Sequence, residues 1–192
     1  KPEFVPFSML FSKYSGSLGY RCFIATSDGN VLEMEMKNGG TLRVRSTTAI
    51  TYSVWQLVTV TSDGSGTAIG INFYINGINA GQNIVTDTLS ASILTTKAFE
   101  IAGESSQPLY YRGNISSFRA WDTELTSVQA AAEYNGGTIL SPAVQVANLV
   151  LNTDIDNATF GTQWTIPDLT GITAGYTSVN MEVEDRVEEC PT

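Results

Sequence analysis

The segment Ile71 to Gly81 limits the fold more than any other stretch. Ile69, Ile71, Phe73 and Ile75 alternate with Gly70, Asn72, Tyr74 and Asn76, the period-two signature of a strand with one buried face. Asn76-Gly77 follows directly. Asn-Gly supplies the two positive φ angles that a type I′ turn demands, so Ile78 to Gly81 is expected to return antiparallel. Upstream, Val54, Val58 and Val60 share one face of a second β-branched run, and Ser62 to Gly66 links the two strands. Asp63-Gly64 in that link reads as turn chemistry rather than metal coordination.

More strands precede this hairpin. Phe4, Pro6 and Ser8 alternate with Val5, Phe7, Met9 and Phe11, which suggests an edge strand, with Pro2 and Pro6 at positions that need no donor. Ser12 to Gly16 reads as a turn. Tyr20 to Ala25, Val31 to Met36 and Thr41 to Arg45 read as a meander joined at Ser27-Asp28-Gly29-Asn30 and at Asn38-Gly39-Gly40.

Later segments are less regular. Ile84 to Leu94 is a polar strand or loop, Phe99 to Gly103 a short strand with Phe99 and Ile101 inward, and Glu104 to Pro108 a loop. Thr126 with Gln129 forms a capping box that opens a helix of about two turns, stopped by Asn135-Gly136-Gly137. Val144 to Leu151 reads as a strand and Asn152 to Gly161 as an acidic loop.

Trp55 to Gly77, read as W-x-x-V-x-V-T-x-D-G followed by F-Y-I-N-G, resembles the central motif of laminin-G-like and concanavalin A-like jelly-roll domains. Tyr110 to Ile115, Phe118 to Asp122, Leu125-Thr126 and Tyr134-Asn135 resemble a later block of the same family, and Ser12-Lys13-Tyr14 with Gly19-Tyr20 extends the likeness upstream. The resemblance implies an all-β chain: an antiparallel two-sheet β-sandwich with jelly-roll topology and one short helix. Residues 1–140 would form its core and 141–192 a C-terminal segment returning to the same sandwich, a single domain overall. The family strand that ends in a Trp-Val-Lys type pattern has no counterpart here. Its absence is expected to leave a sheet edge open for pairing with another chain.

The fold hosts lectins, glycosidases, adhesion modules and virion proteins, so function must come from other residues. Ile166 to Gly171, Gly175-Tyr176-Thr177, Asn180-Met181-Glu182 and the tail to Pro191 resemble the closing segment of such domains in tailed-phage and other viral structural proteins. That resemblance implies a non-enzymatic virion surface, capsid-decoration or tail- or fibre-associated protein, located in the virion. Its partners would be other virion proteins, copies of itself or host glycans. A secreted bacterial carbohydrate-binding or adhesion module, extracellular or on the cell surface, is the alternative. A glycosidase of the same fold is the second.

The residue inventory narrows the chemistry. Histidine is absent, which removes Ser-His and Cys-His nucleophile systems and most zinc and copper sites. The glycosidases of the family carry Glu-x-Asp-x-x-Glu on a strand. The nearest stretch, Glu182 to Glu189, has a different register and lies in the tail, so no catalytic residue is assigned and no cofactor is expected. Asp154, Asp156 and Asn157 form an oxygen-rich loop of the kind that could hold Ca²⁺, with polar solvation the favoured reading. Tyr110, Tyr111 and Trp164 lie near expected loops and are candidates for stacking on sugar rings, whereas Trp55 and Trp121 occupy family positions that pack at the sheet. Core or edge packing is favoured for all five. The family's acidic pair after Ile115 is replaced by Ser116-Ser117.

Charge and length settle the remaining classes. A net charge of −9 with only 10 Lys and Arg argues against nucleic acid, and no apolar run of about 18 residues marks a membrane span. The 192 residues, 42% of them apolar, are enough to bury a two-sheet core. Cys22 and Cys190 could pair only if the C-terminus folds back on the first strands, and free thiols are the favoured reading.

Overall fold

The computed structural model describes residues 7–107, 109–138, 143–153, 159–160, 164–166, 168–170 and 176–177. They belong to two compact units, residues 1–113 and 114–192.

The first unit is built on a meander. Strands β1 (Phe7–Tyr14), β2 (Gly19–Ala25), β3 (Val31–Lys37) and β4 (Thr41–Ala49) pair antiparallel in sequence order. Strands β5 (Val58–Ser62), β6 (Ile71–Ile75) and β7 (Ile78–Asn79) form a separate three-stranded sheet. β8 (Asn83–Asp87) then returns to pair with β4, and β9 (Glu100–Ile101) pairs with β1. The six-stranded sheet therefore runs β8-β4-β3-β2-β1-β9. β9 reaches Phe11 and Ser12, so it occupies part of the edge that the missing family strand was expected to leave open.

Alternation along the meander decides which face is buried. Cys22, Ile24, Leu32, Met34, Met36, Leu42 and Val44 point to one side, where they pack with Ile71, Phe73 and Ile75 of β6 and with Val58 and Val60 of β5. Two antiparallel sheets thus share one core, the packing of a β-sandwich. Ser8 lies opposite Ile24, and its buried hydroxyl has no partner among the described residues. A bulge between Met9 and Phe11 sends Met9 to the other face, against Phe23, Ala25, Val31 and Leu109.

The central hairpin has the expected turn. Asn76 and Gly77 take φ of 52° and 74°, Ile75 pairs with Ile78, and the Asn76 Oδ1 accepts the Leu57 N–H at 2.9 Å. Upstream the strand is shorter than the alternation implies. Ala68–Gly70 is a 3-10 turn, and Ile69 is 69% exposed rather than inward. The Asp63 carboxylate packs on Gly70, where a Cβ would have to displace it, and β6 starts only at Ile71 after the 3-10 turn. Val54 is likewise exposed in a turn, and the strand starts at Val58.

Other boundaries also move. Ser12 to Tyr14 belong to β1 rather than to a turn, since the Ser12 Oγ donates to the Gly103 carbonyl at 2.8 Å and the Tyr14 hydroxyl to Gly16 at 2.7 Å. The strand expected over Phe99 to Gly103 is broken at Ala102, whose φ is 61°. Beyond the break, β10 (Gly103–Glu104) pairs with β11 (Leu109–Tyr110), so Glu104 is a strand residue.

In the second unit, β12 (Arg119–Trp121) pairs with β13 (Leu149–Asn152), and α1 (Ser127–Tyr134) lies between them in sequence. Thr126 caps α1 through a reciprocal box with Gln129, and Asn135 ends it in the left-handed conformation, as the sequence implies. The strand expected from Val144 begins only at Leu149, because Val146–Asn148 is a 3-10 turn. The family residues of this block have structural work. Arg119 pairs with the buried Glu133 of α1, Glu133 accepts the Val144 N–H at 3.0 Å, and the Trp121 indole donates to the Val144 carbonyl at 2.8 Å. Strands β14 (Thr159–Phe160), β15 (Trp164–Ile166) and β16 (Tyr176–Thr177) form a three-stranded antiparallel sheet.

Candidate functional site

The face of the six-stranded sheet turned away from the core carries charged groups in rows. Register sets Ser12, Arg21, Glu35, Arg43 and Thr86 in one row across five strands. Phe23, Glu33, Arg45 and Asn83 form the next. Two-residue spacing within β2, β3 and β4 places Arg21 and Phe23, Glu33 and Glu35, and Arg43 and Arg45 on one face.

The carboxylates of Glu33, Glu35 and Glu104 are at the bottom of this layer and the guanidinium groups on top. The Glu33 side chain is fully buried, with Oε1 accepting Arg43 Nε at 2.7 Å and Oε2 accepting Arg45 Nε at 2.5 Å. Glu35 accepts Arg21 Nε at 3.0 Å and has Lys37 Nζ at 3.6 Å and Arg43 Nε at 3.5 Å. Glu104 reaches from β10 to Arg21 Nη1 at 2.9 Å, and Asp28 meets Arg45 Nη2 at 3.0 Å. Arg21 also lies over the rings of Tyr14 (4.5 Å) and Phe23 (5.5 Å), a cation–π arrangement. Burial pushes the Tyr14 hydroxyl above its ordinary value, and the hydrogen bond between Tyr14 and Lys37 raises the lysine.

Access increases across the face. Arg21, flanked by Glu104 and Gln107, is 14% exposed, Arg45 19% and Arg43 32%. Among the described residues Arg43 bonds through Nε and Nη2, and so does Arg45, which leaves Nη1 of each as a donor without a partner there. Two donors on partly exposed arginines, both held by the buried Glu33, can take the oxygens of a ligand without reorganising.

Tyr110 and Tyr111 do not converge. Tyr110 is 44% exposed on β11, with its ring against Gly103. Tyr111 points the other way and packs on the main core. Burial, and then the nearby Tyr52, pushes its hydroxyl above the ordinary range. Tyr111 is therefore a packing residue, while Tyr110 remains available for stacking. Trp164 is on β15 with its side chain outside the described residues, as are Asp154, Asp156 and Asn157, the tail carboxylates Glu182 and Glu188, and Cys190. Cys22 is a free buried thiol, raised by burial and then by Glu33. Asp63 makes an Asx turn, its Oδ1 accepting the Ser65 N–H at 2.8 Å, which bears out the turn reading. Among the described residues no group of three acidic or Cys side chains is arranged to hold a metal ion.

The charged rows were not among the sequence candidates, although their signal was present. Glu33-Met34-Glu35 and Arg43-Val44-Arg45 are matching two-residue repeats on either side of Asn38-Gly39-Gly40, and only the pairing of Lys37 with Thr41 shows that they meet.

The model of the concanavalin A-like lectin/glucanases superfamily matches residues 4–131, two thirds of the sequence. The chain belongs to this family. Among solved structures, a "putative carbohydrate binding protein" from Bacteroides ovatus ATCC 8483 superposes with a TM-score of 0.61 at 19% identity. The match covers 93% of this chain and 49% of the other, so the chain spans about half that protein's length. No curated protein matches. None of these findings links this concanavalin A-like chain to a virus.

Proposed function

We propose that this chain is a non-catalytic carbohydrate-binding module whose glycan lies across the charged face of the six-stranded sheet. One observation carries the reading: partly exposed Arg43 and Arg45, locked by the buried Glu33, each present an N–H pair that no described residue uses, on a rigid sheet. Sugars are recognised by planar polar groups that reach vicinal hydroxyls, and preorganised donors reduce the ordering cost of binding. The jelly-roll family and the name of the Bacteroides ovatus structure support the same reading.

Catalysis is not proposed. A retaining glycosidase needs two free carboxyl groups about 5 Å apart. Here both oxygens of Glu33 accept from arginine, and Glu35 is shared among Arg21, Lys37 and Arg43. An extracellular or cell-surface location goes with glycan binding. The virion placement rests on Asn180-Met181-Glu182, which lie outside the described residues, and nothing in the described structure favours it.

A glycan microarray probed with the chain tests the reading. At least one glycan class should bind, and Arg43→Gln should weaken it by about tenfold or more, the loss of a charge-assisted hydrogen bond. Thermal melting of the variant separates lost contact from lost fold. An array with no bound glycan contradicts the proposal.

A further inference from the structure

We infer that the glycan taken by this face is neutral, rather than one bearing uronate, sulfate or sialate groups; the inference rests on the reading just given. The argument begins with charge balance. Arg21, Arg43, Arg45 and Lys37 supply four cations, and Glu33, Glu35, Glu104 and Asp28 supply four anions, all linked by contacts of 3.6 Å or less. The rows alternate in sign between neighbouring strands, Arg21 beside Glu35 beside Arg43, so no two like charges face each other across a strand pair.

The most accessible cation is the test of whether this balance holds locally. An acidic group approaching Arg43 meets a guanidinium whose Nε and Nη2 are already within 2.7 Å of Glu33 and whose Nε is 3.5 Å from Glu35. Attraction to the arginine is offset by repulsion from two carboxylates directly behind it, and both terms are weakly screened because the carboxylates are buried. Arg45 is likewise paired with the buried Glu33, and on its outer side with the exposed Asp28. Neither arginine is a free cation. The rest of the chain adds to this, since a net charge of −9 repels a polyanion before contact.

A neutral sugar meets none of these costs. Its hydroxyls accept from the unused Nη1 groups of Arg43 and Arg45 as well from a charge-balanced array as from an isolated arginine. Arg43 and Arg45 then select for hydroxyl geometry, and the carboxylates beneath them exclude acidic ligands. Specificity here comes from a repulsive element as well as an attractive one.

Matched glycan pairs provide the experiment: galacturonan and its carboxyl-reduced form, sialylated and desialylated oligosaccharides, sulfated and desulfated galactans. The chain should bind only neutral members, with affinity changing by less than about twofold between about 50 and 500 mM salt. Asp28→Asn leaves the face with one uncompensated cation, and Asp28 is surface-exposed, so the fold should persist. That variant should acquire measurable binding to the acidic twin of whichever neutral glycan binds. The inference is overturned if an acidic member outbinds its neutral twin, if affinity falls about tenfold with salt, or if Asp28→Asn leaves the preference unchanged. If no member of any pair binds, the carbohydrate reading itself fails and takes this inference with it.

Discussion

At the residue scale, Glu33 has the clearest energetic role. It has no exposed surface and compensates two arginines, so Glu33→Gln leaves a buried amide between two guanidinium groups. Breaking a buried ion pair from one side costs about 3–5 kcal/mol. Urea unfolding should place Glu33→Gln at least about 3 kcal/mol below the parent, and a loss under about 0.5 kcal/mol would mean that the rows do not stabilise the sheet. Asp63 gives a second test at this scale. The hydroxyl and N–H of Ser65 hold its carboxyl below the ordinary value. With the folded value below the unfolded one, the small stabilisation is complete above the unfolded carboxyl value and disappears as pH falls through the folded one. An NMR titration should find the Asp63 midpoint below about 3.9, the usual aspartate value, and Ser65→Ala should move it upward. An unshifted midpoint in both proteins would remove the Asx turn.

Elements were legible in the sequence where local chemistry decides them. Asn76-Gly77 needs positive φ at both positions and has it, and the Thr126–Gln129 box fixes the start of α1. A Val at position 77 would be forced to positive φ, so Gly77→Val should lower stability by about 1–3 kcal/mol in thermal or chemical unfolding. An unchanged midpoint would mean that the turn relaxes without cost. Elements were misread where a distant group decides. The apolar period runs on through Ile69, yet Ala68–Gly70 is a 3-10 turn with the Asp63 carboxylate packed on Gly70, and β6 begins only at Ile71. Ser12 and Tyr14 look like turn residues, but the Gly103 carbonyl, 91 positions away, holds Ser12 in a strand. Ala102 breaks the strand around Ile101 through a backbone angle that no residue type announces.

For the whole molecule, the sandwich was legible because alternation, turns and family motifs agree over residues 4–131, whereas the candidate site was not. A charged residue on a strand reads by itself as a solvated outer face. Only register shows that Glu33 lies under Arg43 and Arg45, and only burial shows that the layer is ordered by sign. The single-ring candidates read from sequence were loop aromatics, and of these Tyr110 alone is exposed among the described side chains. The central claim is that ligand meets the arginines of the sheet rather than this ring. Arginine Nε–Hε signals belong to the same guanidinium groups as the open Nη1 and sense its contacts, so the decisive measurement is an NMR titration with the strongest-binding array glycan. Saturable shifts at Arg43 and Arg45 Nε–Hε, with smaller ones at the more enclosed Arg21, are the predicted result. Saturable binding that leaves all three signals in place and perturbs the surroundings of Tyr110 instead would contradict the account.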